Sequence, residues 1–357
     1  MSLDATAEGY QASVAWQSPS NIALIKYWGK KEGGPQLPAN PSLSFTLDAC
    51  RTQSRLHFRP RQKDQPERRF FFEGREAPEL GGKSEKLMEA FAQRYEGLAQ
   101  YDLRLDTTNS FPHSAGIASS ASGLSALSLC LLSFLKEETG QQTEQADFMQ
   151  EASEMARLGS GSACRSLYGG YVVWGESKGI SGSSDQYATP LRTDALHAAF
   201  GNIHDTILLI DRGPKQVSST AGHGQLRAHP FAQARFEAAR HNLDTLLAVL
   251  RTGDWEAFGR VIEAEALMLH ALMMSGPEPY ILMKPNTLAA IEKIQAHRKQ
   301  SGMPVFFTLD AGANLHLLHP GHEVDQVSDW VEQELKPLCE RGEYICDAIG
   351  QGPQRLQ

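Results

Sequence analysis

From Ser42 to Leu47, apolar Leu43, Phe45 and Leu47 alternate with Ser42, Ser44 and Thr46. That two-residue period predicts a strand with one buried face. Tyr101, Leu103 and Leu105 repeat it against Asp102, Arg104 and Asp106. A strand is also predicted at Ser13 to Trp16, interrupted by Pro19 and Asn21, and an apolar stretch resumes over Ile22 to Tyr27. Others are predicted over Ser54 to Phe58, Arg69 to Phe72, Tyr171 to Trp174, Thr206 to Ile210, Val305 to Leu309 and Tyr344 to Ile349, and Leu315 and Leu317 alternate with Asn314 and His316. Elsewhere the period lengthens. Ala121, Leu124, Leu127, Leu131 and Phe134 share one helical face from a start at Ser119. Helices are also predicted over Ser84 to Tyr95, Thr143 to Leu158, Phe231 to Leu250, Trp255 to Met274, Thr287 to Lys299 and Val324 to Leu335. Gly276, Pro277 and Pro279 stop the one before them. Strands and helices mixed without a regular βαβ beat predict an α+β fold in two lobes. Residues 1–12 read as a flexible tail, 13–195 as the first lobe and 196–357 as the second, divided at a weak spacer near 190–200.

With 41% hydrophobic residues among 357, the chain can bury real cores. Lys and Arg number 34 against 42 Asp and Glu, a net charge of −8, opposite to the basic surface that a nucleic-acid backbone selects. A small cationic pocket is still compatible with that sign. The five cysteines, at 50, 130, 164, 339 and 346, are widely spaced and form no CxxC pair. They suit a reducing compartment rather than a disulfide framework or zinc knuckle. Met1 to Gly9 lacks the features of a signal peptide, and the greasiest run, Leu124 to Leu135, is short and dotted with serine. The expectation is a soluble cytoplasmic protein without nucleic-acid or membrane partners.

Five segments can carry chemistry. The Pro/Gly/Ser loop Pro112 to Gly123 runs into the helix starting at Ser119. Small residues and a helix N-terminus suit a phosphate, and serine hydroxyls suit Mg²⁺, although no Walker A pattern is present. Gly159-Ser-Gly-Ser-Ala-Cys-Arg165 pairs hydroxyls with a guanidinium that fits carboxylate or phosphate. Lys26-Tyr-Trp-Gly-Lys30 sets two lysines around two aromatics, and Lys215 to Gly222 again joins a lysine to hydroxyls. Asp310 ends an apolar run before Ala-Gly, where a carboxylate can act as a base. Each segment alone also reads as an ordinary turn, cap or solvated charge. His316 and His319 have no third partner for a metal site, and no GxSxG elbow exists.

Together the segments are specific. Ser18 to Lys30 followed by Leu37 to Ser44, Phe111 to Gly123, Gly159 to Gly170 and Phe307 to Gly312 occur in the order of one family. They resemble the diphosphomevalonate decarboxylases of the GHMP-kinase superfamily. The resemblance implies a ribosomal S5 domain 2-like first lobe and a ferredoxin-like second lobe, a homodimer, and a cleft that uses ATP and Mg²⁺ to convert 5-diphosphomevalonate to isopentenyl diphosphate, ADP, phosphate and CO₂. By position it implies that Asp310 orients or deprotonates the 3-hydroxyl, Lys26 pairs with Asp310, and Arg165 grips the substrate carboxylate. Tyr27, Trp28, Gly29 and Lys30 match the diphosphate run, Ser160, Gly161, Ser162, Ala163 and Cys164 the substrate loop, and Ser219 with Thr220 a further substrate contact. Ser114, Ala115, Gly116, Ile117, Ala118, Ser119 and Ser120 match the ATP cradle, with Ser119 or Ser120 near the metal. Lys83 matches loosely a basic residue that helps the diphosphate. The chain departs from the family at His113-Ser114, where Thr-Ala is frequent, and at His223, where methionine is frequent. A relative that only phosphorylates, a decarboxylase of the 5-monophosphate, and a non-catalytic binding module are the rival readings.

Overall fold

A computed structural model describes residues 7–64, 67–112, 117–192, 194, 196–213 and 219–357, and side chains 219–221 are outside that description. β1 (Ala12–Ile25) and β2 (Ser42–Pro60) form a long antiparallel pair. The interruption expected at Pro19 and Asn21 is a register shift within a continuous β1. A proline cannot donate to the ladder, and a local irregularity absorbs it without ending the strand. The two strands expected at Ser42 to Leu47 and Ser54 to Phe58 are likewise one. Between them the Asp347 carboxylate accepts the N–H groups of Asp48, Ala49 and Cys50 at 2.8, 2.7 and 2.8 Å, standing in for the missing strand partner.

Among the described residues the first sheet has eight strands. Its path runs through β1, β2, β5 (Tyr101–Asn109), β3 (Arg68–Phe72) and β4 (Arg75–Glu76), while β6 (Tyr171–Trp174) pairs with β2 and β7 (Ala188–Pro190) with β6. α1 (Gly81–Arg94), α2 (Ser119–Thr139) and α3 (Gln145–Gly159) cover it. Phe58, Leu105, Leu127, Leu131, Phe91 and Met155 meet in the core beneath them. α2 is long and apolar enough to cross a membrane, contrary to the sequence estimate, yet most of it is buried inside the molecule.

The second sheet is β11 (Tyr344–Ala348), β8 (Ile203–Leu208), β10 (Leu315–Pro320) and β9 (Phe306–Thr308), antiparallel throughout. The other helices are α4 (Ser219–Gln225), α5 (Ala232–Thr252), α6 (Trp255–Ser275), α7 (Pro285–Ser301) and α8 (Val324–Trp330). The helix expected to reach Leu335 instead widens into a π turn over Val331–Leu335, with Pro337 in the turn that follows. One apolar cluster joins the two sheets, packing Ile22 and Leu24 of β1 with Leu243, Phe258 and Phe306. The last strand, β12 (Gln354–Leu356), leaves the second sheet and pairs with Ala15, Trp16 and Gln17 of β1.

Gly259 lets α6 lie close to β9. A Cβ there would fall 1.8 Å from the Phe306 ring. Overpacking of this kind costs about 1–3 kcal/mol. Gly259→Ala is therefore expected to lower the free energy of unfolding by that amount, read as a lower urea midpoint at unchanged slope, and an unchanged midpoint would refute the close packing.

Candidate active site

The end of β1 and the turn after β9 bring Lys26 and Asp310 together. The Lys26 side chain is 1% exposed, and its Nζ donates to Asp310 Oδ1 at 2.9 Å and to the Ala23 carbonyl at 2.6 Å. Asp310 is 30% exposed, so its carboxylate has a face toward solvent. Burial lowers the Lys26 pKa, and the Asp310 charge and hydrogen bond oppose that shift. This is the balance expected of a buried ammonium that stays cationic only beside an anion. His270 Nε2 lies 3.1 Å from the Asp310 carbonyl oxygen, fixing the backbone behind the carboxylate. Burial pushes His270 down to about 4. It is therefore neutral at pH 7.

Arg165 sits in the short helical turn Gly161–Leu167 after α3 and is buried. Its Nε donates to Asn21 Oδ1 at 3.3 Å and its Nη1 to Ser42 Oγ at 2.5 Å. Asn21 in turn donates to Ser166 Oγ at 2.8 Å. Both partners of the guanidinium are neutral oxygens, and among the described residues it has no ion pair. Burial lowers its pKa, while Asp310 and Cys164 raise it. A guanidinium stays protonated under such a strain, so the pocket holds a desolvated positive charge suited to a carboxylate.

The Tyr27–Lys30 run continues from Lys26. The Tyr27 ring packs at 4.6 Å from Trp174, and a Cβ on Gly161 would come within 2.9 Å of the Tyr27 hydroxyl. Glycine at 161 is what admits the tyrosine. That hydroxyl is buried with no hydrogen-bond partner among the described residues, and burial raises its pKa. Gly29 takes a positive φ of 98°, and Lys30 bridges to Pro38. Burial and Arg227 both lower the Lys30 pKa. His223 of α4 lies against both aromatics of this run.

In the turn after α3, Ser160 and Ser162 are partly exposed, whereas Ala163 and Cys164 are fully buried and serve packing through their side chains. The Cys164 thiol donates to the Gly161 carbonyl at 3.0 Å, and the Ser162 carbonyl accepts from Asn21 at 3.3 Å. Ile117 is buried in the joint core. Ala118 takes a left-handed conformation at the N-cap of α2 and gives no side-chain cap. The first turn of α2 therefore lacks the usual capping oxygen for its N–H groups, and it exposes the Ser120 hydroxyl, 3.4 Å from Lys83 Nζ. Lys83 lies in the first turn of α1, not ahead of that helix. Ser114, Ala115, Gly116 and His113 lie outside the described residues, as do the side chains of Ser219 and Thr220 at the start of α4.

Several functional neighbours were not legible as such. The Lys26 N–H donates to Glu265 Oε2 at 2.9 Å. Glu265 is fully buried and also accepts from Arg235 at 3.0 and 2.6 Å and from Asn242 at 2.7 Å. A carboxylate on the apolar face of α6 beside Ile262, Ala266, Leu269 and Met273 was the available signal. Asn21, Ser42 and His270 gave none beyond being polar in strands or helices.

The family models that match are the "Diphosphomevalonate decarboxylase-like N-terminal domain" over residues 18–188 and the "Mevalonate 5-diphosphate decarboxylase C-terminal domain" over 206–354. The chain is 30% identical over 339 residues to the diphosphomevalonate decarboxylase of Ganoderma lucidum, covering 90% of this chain and 81% of that one. It is 28% identical to the phosphomevalonate decarboxylase of Haloferax volcanii, covering 86% and 88%. The structure of MDDEF in complex with MVAPP, AMPPCP and magnesium is similar with a TM-score of 0.83 at 27% identity, covering 97% of this chain and 99% of that one. The mevalonate diphosphate decarboxylase of Staphylococcus aureus gives a TM-score of 0.81 at 27% identity, covering 97% and 98%.

Proposed function

The chain belongs to the diphosphomevalonate decarboxylase family, and from that premise we infer that the buried Lys26 and Arg165 and the partly exposed Asp310 carry its chemistry. The reaction is the ATP-dependent decarboxylation of (R)-5-diphosphomevalonate to isopentenyl diphosphate, ADP, phosphate and CO₂, with Mg²⁺. One observation carries the assignment of roles: an aspartate with an open face has an ammonium 2.9 Å behind it and, within electrostatic reach, a buried guanidinium with no carboxylate partner among the described residues.

The first turn of α2, with the hydroxyls of Ser119 and Ser120 and the nearby Lys83 ammonium, fits a nucleotide phosphate and its metal. Bound ATP and Mg²⁺ supply the phosphoryl group that turns the 3-hydroxyl into a leaving group, and the charge balance for its transfer. Asp310 accepts the hydroxyl proton, and Lys26 holds that carboxylate ionised and in place. Arg165 holds the substrate carboxylate beside them. As phosphate departs from C3, the electron pair of the C–CO₂ bond becomes the new double bond, so this step needs no second base. Tyr27, Gly29 and Lys30 take the substrate's terminal phosphates, with Ser160, Ser162, Ser219 and Thr220 around the loop. The decisive assay gives the protein ATP, Mg²⁺ and either 5-diphospho- or 5-phosphomevalonate and follows ADP and CO₂ together. Equal release of both from the diphosphate is expected. ADP without CO₂ would identify a kinase, and preference for the monophosphate would move the chain toward the Haloferax type.

A homodimer is supported by Leu267, Met268 and Met274 of α6, with Ile281 and Leu288 after it, all left exposed. A cytoplasmic location is supported by the free thiols of Cys50, Cys130, Cys164, Cys339 and Cys346.

A further inference from the structure

The environment of His223 is built around a ring nitrogen. Its side chain is buried, with its ring centroid 4.4 Å from Tyr27 and 4.5 Å from Trp28. Nδ1 accepts the Gly29 N–H at 2.9 Å. That bond adds to the Ala39 N–H donated to the Gly29 carbonyl at 3.2 Å in fixing a backbone with a φ of 98°, where Phe236 crowds the position a Cβ would take, at 2.7 Å. On the far side, Gly222 admits Trp28, since a Cβ there would meet the indole at 2.5 Å and the Tyr280 hydroxyl at 2.8 Å. α4 is thus packed against the run at consecutive positions, 222 by shape and 223 by shape and hydrogen bond.

We propose that His223 is a positioning residue: its Nδ1 holds the Gly29 N–H and its ring spaces Tyr27 from Trp28, fixing the run that receives the substrate's phosphates. This rests on the reading of Tyr27 to Lys30 as the phosphate-binding run. A thioether could fill the space but is a poor acceptor for an N–H. Burial disfavours the imidazolium most, Lys30 from the run and Lys83 from α1 disfavour it further, and together they lower His223 to about 3. The ring is therefore neutral at pH 7, with the Nδ1 lone pair available and the proton on Nε2.

The role separates acceptor from volume. Asparagine places an oxygen as many bonds from the backbone as Nδ1, whereas leucine fills the space and accepts nothing. His223→Leu is expected to raise KM for 5-diphosphomevalonate about tenfold, the equivalent of one hydrogen bond, with kcat and the KM for ATP within about twofold of wild type. His223→Asn should stay within about threefold of wild-type KM. Equal KM values for the two variants, or a loss confined to kcat, would overturn the proposal. Histidine ¹⁵N resonances of the wild-type protein provide a test that needs no variant. They should show Nδ1 unprotonated and Nε2 protonated from about pH 6 to about pH 8. A protonated Nδ1 in that range would dispose of the clamp. An inactive wild-type protein with the expected tautomer would instead overturn the family-based reading of the run while leaving the clamp intact.

Discussion

Asp310→Asn is expected to fold normally and to lose about 10²–10⁴-fold in kcat, the range removed with a positioned general base. The amide keeps the shape and can still accept from Lys26, so positioning by packing survives. What is lost is the proton acceptor and the negative charge that offsets a buried ammonium. Lys26 can respond by releasing its proton, because burial already pulls its pKa down and the Asp310 charge and hydrogen bond are the largest effects opposing this, ahead of the Glu265 charge. The variant thus escapes the full penalty of an unpaired buried charge, and its melting temperature should stay near that of wild type. Coupled measurement of ADP and CO₂ release checks the point. Turnover within tenfold of wild type would remove Asp310 from the chemistry. Loss of CO₂ with ADP release retained would shift its role from the phosphoryl step to the later one.

The second large effect falls on stability. Glu265→Ala should lower the free energy of unfolding by about 3–5 kcal/mol, the cost of leaving one member of a buried ion pair alone. Arg235 and Glu265 are both buried and share two hydrogen bonds, and removing the carboxylate also strands the Lys26 N–H. Replacing both partners, as in Arg235→Met with Glu265→Leu, should recover most of the loss, since well-packed apolar pairs substitute for buried ion pairs. Recovery of stability without recovery of kcat would show that the carboxylate also aligns Lys26. Chemical denaturation of the single and double variants measures the first effect, and a single-variant loss under 1 kcal/mol would contradict the burial of the pair.

The parts of the fold set by local pattern were legible in the sequence. The face Ala121, Leu124, Leu127, Leu131 and Phe134 became α2, starting at Ser119 as expected. Alternation at Tyr101 to Asp106 became β5. What was not legible depends on distant partners. Nothing near Asp48 says that Asp347, far along the chain, will satisfy its N–H and so keep β2 whole. The same division holds at the site. The segments of Lys26, Arg165 and Asp310 stood out as motifs, but the hydrogen bonds that hold them come from Glu265, Asn21, Ser42 and His270, residues whose chemistry is ordinary until the two sheets meet.

The return of β12 to β1 sets an order of assembly. The edge of the first sheet is sealed by Gln354–Leu356, far along the chain from β1, and Arg55 donates to the Gln357 carbonyl at 2.6 Å to hold that segment there. Until then the outer side of β1, the strand that delivers Lys26, presents unpaired backbone groups. A nascent chain therefore carries an open strand edge until β12 has been made, a period in which pairing with another chain is easiest. Closure of that edge is also a long-range event in sequence, the kind of contact that forms late and slowly. Completion of the strand that carries Lys26 is in this way coupled to the arrival of β12.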